Sequence, residues 1–245
     1  MKHFLRYAKW AALPLAFLLP LGAADKGITH EQADDILKEL RQIRELLEKQ
    51  QNAPAPSGGQ QQITKATVSI DGAYTMGSKD APITMVEFTD FQCPFCQQFH
   101  VRTFAELKKN YIDTGKVRFV SRDLPLDFHP NAMQAAEAGR CAGEQDQFWA
   151  MRDRMNANPD KLDMANLVAT AQDLKLNVAK FRSCVESAKY KDAIRRDSQT
   201  AEKIGANGTP SFVLGRSTPG GVDGELIVGA MPYEVFDQKI KALAR

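Results

Sequence analysis

Two of the four cysteines, Cys93 and Cys96, enclose only two residues in the run Glu87-Phe-Thr-Asp-Phe-Gln-Cys-Pro-Phe-Cys-Gln-Gln-Phe. Cys93 falls where an apolar strand pattern gives way to a helix pattern, which places it at the N-cap of the expected helix. Unpaired backbone N–H groups and the positive end of the helix dipole favour a thiolate over a thiol there. Pro94 suits the first helical turn, because its ring presets φ and its missing N–H has no helical partner to lose. The thiolate is the attacking species in disulfide exchange, and such sites lower a cysteine pKa from about 8.5 to roughly 3.5–7.5. A drop of about three units stabilises the reduced form by roughly 4 kcal/mol and makes the disulfide correspondingly oxidising. The spacing therefore points to thiol–disulfide chemistry.

Zinc ribbons use the same spacing, but they need a second close cysteine pair or a Cys/His pair. Cys141 and Cys184 stand far apart in sequence, and His3, His30, His100 and His129 form no ligand cluster. No metal and no organic cofactor is expected. Glu87 precedes Cys93 by six residues within an apolar run. A carboxyl group buried in a strand has a raised pKa and can exchange a proton with the Cys96 thiol, the alternative being a solvated glutamate on an edge strand. His100 follows Cys93 by seven residues, almost two helical turns. A protonated imidazole on that side could tune the thiolate, whereas a surface position would leave it screened by water.

The N-terminus bears on compartment. Lys2, Arg6 and Lys9 precede a run from Trp10 to Leu21 that is apolar apart from two prolines, followed by Gly22, Ala23 and Ala24. This is the layout of a secretory signal peptide, too short for a comfortable membrane span, with cleavage expected near Ala24. Export would place the cysteines in an oxidising space such as the periplasm, where disulfides persist. The net charge of +2 gives no reason to expect nucleic acid as a partner.

Three segments follow residues 1–24. Over 25–50, Thr29 and Gln32 form a capping box, and Ala33, Ile36, Leu40, Ile43 and Leu47 recur at spacings of three and four. That amphipathic helix needs a partner, and self-association through residues 28–50 is the most economical one. Residues 51–62, rich in Gln, Pro and Gly, read as a flexible linker. From residue 63 to 245 the chain suffices for one domain with a substantial core. Strand patterns at Ile83 to Phe88 and Val117 to Ser121 flank a helix that turns Cys96, Phe99, Thr103, Leu107 and Tyr111 inward. Helical patterns alone follow, at Ala135 to Met155, Met164 to Leu174, Val178 to Ser187 and Tyr190 to Ile204. Strands return at Ser211 to Leu214 and Glu225 to Val228, and a helix closes the chain at Tyr233 to Leu243. A small α/β sheet with a helical insertion at about 130–205 accounts for this order.

Three motifs in this order resemble the DsbA-like branch of the thioredoxin superfamily, exported bacterial thiol:disulfide oxidoreductases. They are Glu-Phe-x-Asp-Phe-x-Cys-Pro-x-Cys from Glu87, Cys-Ala-Gly-Glu-Gln-x-x-Phe-Trp from Cys141 to Trp149, and Gly-Thr-Pro-Ser-Phe from Gly208 to Phe212. The resemblance spans roughly Asp71 to Leu243 and implies a thioredoxin-like fold with a helical insertion. It implies that Cys93 is the nucleophile and Cys96 the buried resolving thiol. It also implies that Thr209 and Pro210 form a loop with a cis peptide bond, facing the disulfide and pairing with extended substrate backbone. Strongly oxidising relatives often carry histidine where this chain has Phe95, after Pro94, so the oxidising extreme is not implied. With Cys93 and Cys96 assigned, Cys141 and Cys184 are left to pair as a structural disulfide or to stay as two buried thiols. The partners implied are unfolded or misfolded secreted proteins and a membrane redox protein. The N-terminal helix lies outside the resemblance and is similar to oligomerisation segments of isomerase-like relatives. A binding protein or holdase on a thioredoxin-like platform is the rival reading.

Overall fold

The computed structural model describes residues 29–52 and 65–245. The expected signal peptide (1–24) and linker segment 53–62 lie outside the described residues. The chain divides into two units, residues 1–59 and 60–245. In the first, helix α1 spans His30–Asn52. Its capping box is reciprocal: the Gln32 N–H donates to Thr29 Oγ1 at 3.2 Å, and the Thr29 N–H donates to Gln32 Oε1 at 3.1 Å. Ile36, Leu37, Leu40 and Ile43 are each about half exposed on this helix. No helix among the described residues is long and apolar enough to cross a membrane.

The second unit is built on a six-stranded sheet. Its strands are β1 (Lys65–Ser69), β2 (Tyr74–Met76), β3 (Ile83–Thr89), β4 (Val117–Asp123), β5 (Ser211–Thr218) and β6 (Gly221–Val228), in the spatial order β1-β6-β5-β3-β4-β2. β3 and β4 run parallel, with Glu87 opposite Ser121, while β5 lies antiparallel on the other side of β3 with Phe212 opposite Glu87. All seven residues of β3 are buried, as its unbroken apolar run requires of a central strand covered on both faces. Where β5 and β6 pair, Gly215 faces Gly224. A Cβ on Gly215 would lie 2.0 Å from the Asp223 carbonyl oxygen, so the close approach of these strands excludes a side chain.

The first helical stretch after β3 is α2 (Pro94–Phe99), continued by a π-helical turn at His100–Phe104, α3 (Ala105–Leu107) and a second π-helical turn at Lys108–Ile112. Cys96, Phe99, Thr103, Leu107 and Tyr111 all face inward as their spacing predicts. The π turns were not foreseen. Each widens the helix by one residue, which lets Phe104 join Thr103 and Ile112 join Tyr111 in the core. Phe99 anchors this layer to the sheet, with its ring 4.6 Å from Phe212 and 5.7 Å from Phe236. Ring pairs of this kind add about 0.5–1.5 kcal/mol beyond area burial. Phe236 lies on the closing helix α9 (Tyr233–Leu243), whose bounds match the sequence expectation.

The insertion comprises α4 (Ala132–Gly143), α5 (Phe148–Ala157), α6 (Met164–Asp173), α7 (Val178–Glu186) and α8 (Lys191–Lys203). The single pattern read from Ala135 to Met155 is in fact two helices. Between them Asp146 adopts φ 60°, a left-handed conformation that Asp tolerates better than most residues. α5 thereby folds back on α4, with the Phe148 and Met155 side chains packed against Gly139. The insertion has its own apolar core, including Phe91, Met151, Leu167 and Phe181. Its last helix also covers the second face of the sheet, where Ala201 and Ile204 pack with Val86, Phe88, Val120 and Val213. The α/β fold with a helical insertion is thus as the sequence implied, with two strands, β1 and β2, added before β3.

Candidate active site

β3 delivers the chain to a tight turn at Asp90–Gln92, and Cys93 then caps α2 with extended backbone, φ −72° and ψ 123°. Asp90 holds the turn in place. Its buried carboxylate accepts the backbone N–H of Gln92 at 2.8 Å and of Leu126 at 2.9 Å, and it bonds His129 Nδ1 at 2.7 Å. Gln92 Oε1 accepts the Asn131 N–H at 2.8 Å. The loop from β4 to α4 is therefore fastened to the residues just before Cys93. Sequence reasoning assigned no role to Asp90 or His129, because 39 residues separate them and no local pattern links the two.

The two thiols are reduced and buried, yet unlike. Cys93 Sγ lies 3.3 Å from the Thr209 carbonyl oxygen, which accepts its hydrogen while it is a thiol. The Cys93 pKa is lowered to about 5. The Cys96 thiol donating to its sulfur is the main cause, joined by the Thr209 hydroxyl and the backbone N–H groups of Cys96 and Phe95, and opposed by burial. The Thr209 hydroxyl is buried and makes no hydrogen bond of ordinary geometry among the described residues. Cys96 is driven the other way. Burial pushes its pKa well above the usual thiol value, and the hydrogen bond it donates to Cys93 and the negative field of Glu87 push it further. The Asp90 N–H, 3.5 Å from Cys96 Sγ, is a lesser, opposing influence. One sulfur is thus ionised at neutral pH while its neighbour holds its proton.

The other residues singled out in the sequence divide between this site and elsewhere. Pro94 opens α2, and Phe95 turns its ring to solvent, 58% exposed, so that only its backbone N–H serves Cys93. The Thr209–Pro210 bond is cis. The Pro210 carbonyl accepts the Gly229 N–H at 2.8 Å, and Ser211 Oγ donates to the Gly208 carbonyl at 2.6 Å, which ties the loop to β6 and to itself. Glu87 is buried in β3, not solvated at an edge. Burial raises its pKa, and the Arg152 guanidinium, with Nη2 2.6 Å from Glu87 Oε2, opposes the rise. His100 fits neither expectation. It is largely covered, and its Nδ1 lies 3.4 Å from Arg152 Nη1. Burial, with Arg152 beside it, lowers its pKa to about 4, so at neutral pH it carries no charge with which to tune Cys93. Cys141 and Cys184 are disulfide-bonded, with Cα atoms 5.8 Å apart, inside the core of the insertion. No group of three or more His, Cys, Asp or Glu side chains among the described residues could hold a metal ion.

A family model described as Thioredoxin matches residues 69–241. A disulfide bond formation protein D of Bacillus anthracis is 33% identical over 152 residues, which cover 57% of this chain and 68% of that protein. The crystal structure of alpha-DsbA1 from Wolbachia pipientis superposes with a TM-score of 0.63 at 25% identity, over 72% of this chain and 92% of that one. A Salinispora tropica protein named Na(+)/H(+) antiporter NhaA 3 is 36% identical over 148 residues. The chain spans only 22% of that relative's length, so the transport activity in its name describes a much longer polypeptide.

Proposed function

As the chain belongs to the thioredoxin family, in its DsbA-like oxidoreductase branch, we propose that it is an exported enzyme that forms and rearranges disulfides in secreted proteins through Cys93-Pro94-Phe95-Cys96. The divided proton affinity of the two thiols, with Cys93 Sγ set against the Thr209 carbonyl, carries this reading. In the oxidising direction a client thiolate attacks Cys93 Sγ of the Cys93–Cys96 disulfide, and the electron pair of the broken S–S bond leaves on Cys96, which takes a proton. The client's second thiolate then attacks its own sulfur in the mixed disulfide, and Cys93 departs as a stable thiolate. The client loses two electrons and the enzyme gains them, and a membrane redox partner removes them again. In the rearranging direction, the reduced Cys93 thiolate attacks a wrong client disulfide and leaves when a client thiol displaces it.

Thr209 and Pro210 supply the surface against which an extended client strand lies. Cys141–Cys184 is structural, and no cofactor takes part. Residues 1–24 direct export to the periplasm. Residues 28–50 join copies of the chain, an association supported by the half-exposed Ile36, Leu40 and Ile43 on one seam of α1. Joined catalytic domains would enclose misfolded clients, which favours rearrangement over simple oxidation.

The test is turnover of a reduced dithiol client and of a scrambled client, together with the equilibrium potential of the Cys93/Cys96 couple against glutathione, where about 30 mV corresponds to a tenfold change in equilibrium constant. Cys93→Ser is expected to lose both activities, and removal of residues 25–62 is expected to lose rearrangement first. A Cys93→Ser protein that protects clients as well as the parent, with no turnover by the parent, would establish a holdase instead.

A further inference from the structure

Arg152 is one of the largest fully buried side chains of the protein. It belongs to α5, in the insertion, and reaches over the rings of Phe104, Phe119 and Trp149, with its guanidinium carbon 4.8, 5.4 and 5.6 Å from their centroids. Among the described residues the carboxylate it bonds directly is Glu87, on the strand that leads to Cys93. A guanidinium cannot shed its proton in a protein, so a cation fixed at this depth dictates the charge of whatever faces it.

The surroundings leave Arg152 alone in that role. Glu87 is flanked on the sheet by Ser121 of β4 and Phe212 of β5, neither of them charged. The Cys96 thiol is the other titratable group that meets the Glu87 charge. On the far side of Arg152 stand His100, which is neutral, and Asp153, 3.7 Å from His100 Nε2. No other cation is placed to compensate Glu87 among the described residues.

We propose that Arg152 is a positioning residue of the redox reaction, reaching from the helical insertion to hold Glu87 as a carboxylate that receives the Cys96 proton when Cys96 attacks. The inference rests on the oxidoreductase reading above. In that step the Cys93 sulfur is joined to a client or probe sulfur. Cys96 gives its proton to Glu87, its sulfur bonds to Cys93 Sγ, and the client sulfur leaves with the electron pair of the broken bond. Cys96 is oxidised and the client sulfur reduced. The insertion therefore supplies part of the proton chemistry at the dithiol, in addition to covering it.

Ellman's reagent separates this step from the attack by Cys93. The reduced full chain releases a first thionitrobenzoate as Cys93 attacks and a second as Cys96 displaces the Cys93-bound probe. Followed by stopped flow from pH 5 to 10, the second phase of Arg152→Met is expected to move its midpoint upward by about one to three pH units, the range for losing an opposite charge at contact. At any pH below the parent's own midpoint that is a slowing of tenfold or more, with the first phase retaining its profile. Arg152→Lys restores the midpoint towards that of the parent, and Glu87→Gln removes the pH dependence of the second phase. If the second-phase profiles of Arg152→Met and Arg152→Lys both superpose on that of the parent, whatever their melting temperatures, the proposal is overturned. Absence of any second phase in the parent would instead sink the oxidoreductase reading, which keeps the two failures distinct.

Discussion

Cys93 and Cys96 lie two residues apart at the start of a helix, and Cys141 and Cys184 lie 43 apart within a bundle of helices. Both pairs are buried, so burial alone does not separate them. What differs is the set of polar groups aimed at the sulfurs. Around Cys93 a thiol, a hydroxyl and two backbone N–H groups converge on one atom, while its partner faces a carboxylate. Cys141 and Cys184 belong to an apolar cluster with Ala138, Leu167, Phe181 and Val185, and the Glu144 carboxylate, an acceptor, lies 3.5 Å from Cys184 Sγ. An acceptor does nothing for a thiolate. The first pair is arranged so that one sulfur leaves easily and the other is costly to ionise, which suits a bond made and broken in every cycle. The second joins α4 to α7, where its value is to restrict the unfolded chain.

The comparison is broken most severely by exchanging the fates of the pairs. Cys93→Ser should abolish turnover and leave the fold intact. The double replacement Cys141→Ala/Cys184→Ala should do the reverse, since releasing a 43-residue loop costs about 4 kcal/mol in the chain-entropy model. Chemical denaturation of the oxidised protein would show the loss, and a client assay should show turnover near that of the parent. If the double variant loses turnover while remaining folded, the second pair is part of the redox machinery and the contrast fails.

A smaller perturbation sharpens the same contrast. Asp163 caps α6, accepting the N–H groups of Ala165 and Asn166 at 3.0 and 3.1 Å. Asp163→Ala should lower stability modestly, as loss of an N-cap does. It lies in the insertion away from Arg152 and the dithiol, so the potential of the Cys93/Cys96 couple should not move. A shift of that potential with the cap removed would mean that the insertion acts on the dithiol through its overall stability and not through one guanidinium.

Much of this was legible in the chain itself. The buried run Ile83 to Phe88, the helix with its first cysteine at the cap, the insertion and the closing helix all follow from period and punctuation, and Glu87 declared itself by interrupting an apolar strand. β1 and β2 stayed hidden for a physical reason. β1 sends only Ala66 and Val68 inward between polar Lys65, Thr67 and Ser69, and β2 has three residues, so neither carries enough apolar signal to stand out. Arg152 was illegible because its meaning lies in Glu87, 65 residues away, and an arginine on a helix reads by default as a solvated one. The neutrality of His100 is illegible for the same reason: burial and the Arg152 guanidinium on α5 bring it about. The α2 helix start was visible as local pattern, but its environment is assembled by the fold.

The most direct measurement is the ultraviolet absorbance of the thiolate during pH titration of the reduced protein, with thermal unfolding of the reduced and oxidised forms over the same range. One thiolate should appear with a midpoint near pH 5, and the second should remain protonated well beyond the ordinary thiol range. The sign of the accompanying stability follows from the depressed value. Cys93 ionises near 5 in the folded protein, far below an ordinary thiol at about 8.5, so its contribution to the reduced fold is full above about pH 9, shrinks as pH falls, and is gone below about 5. The oxidised fold, with no thiol at that site, should lack this dependence. A single midpoint near 8.5, or two thiolates forming together, would contradict the account.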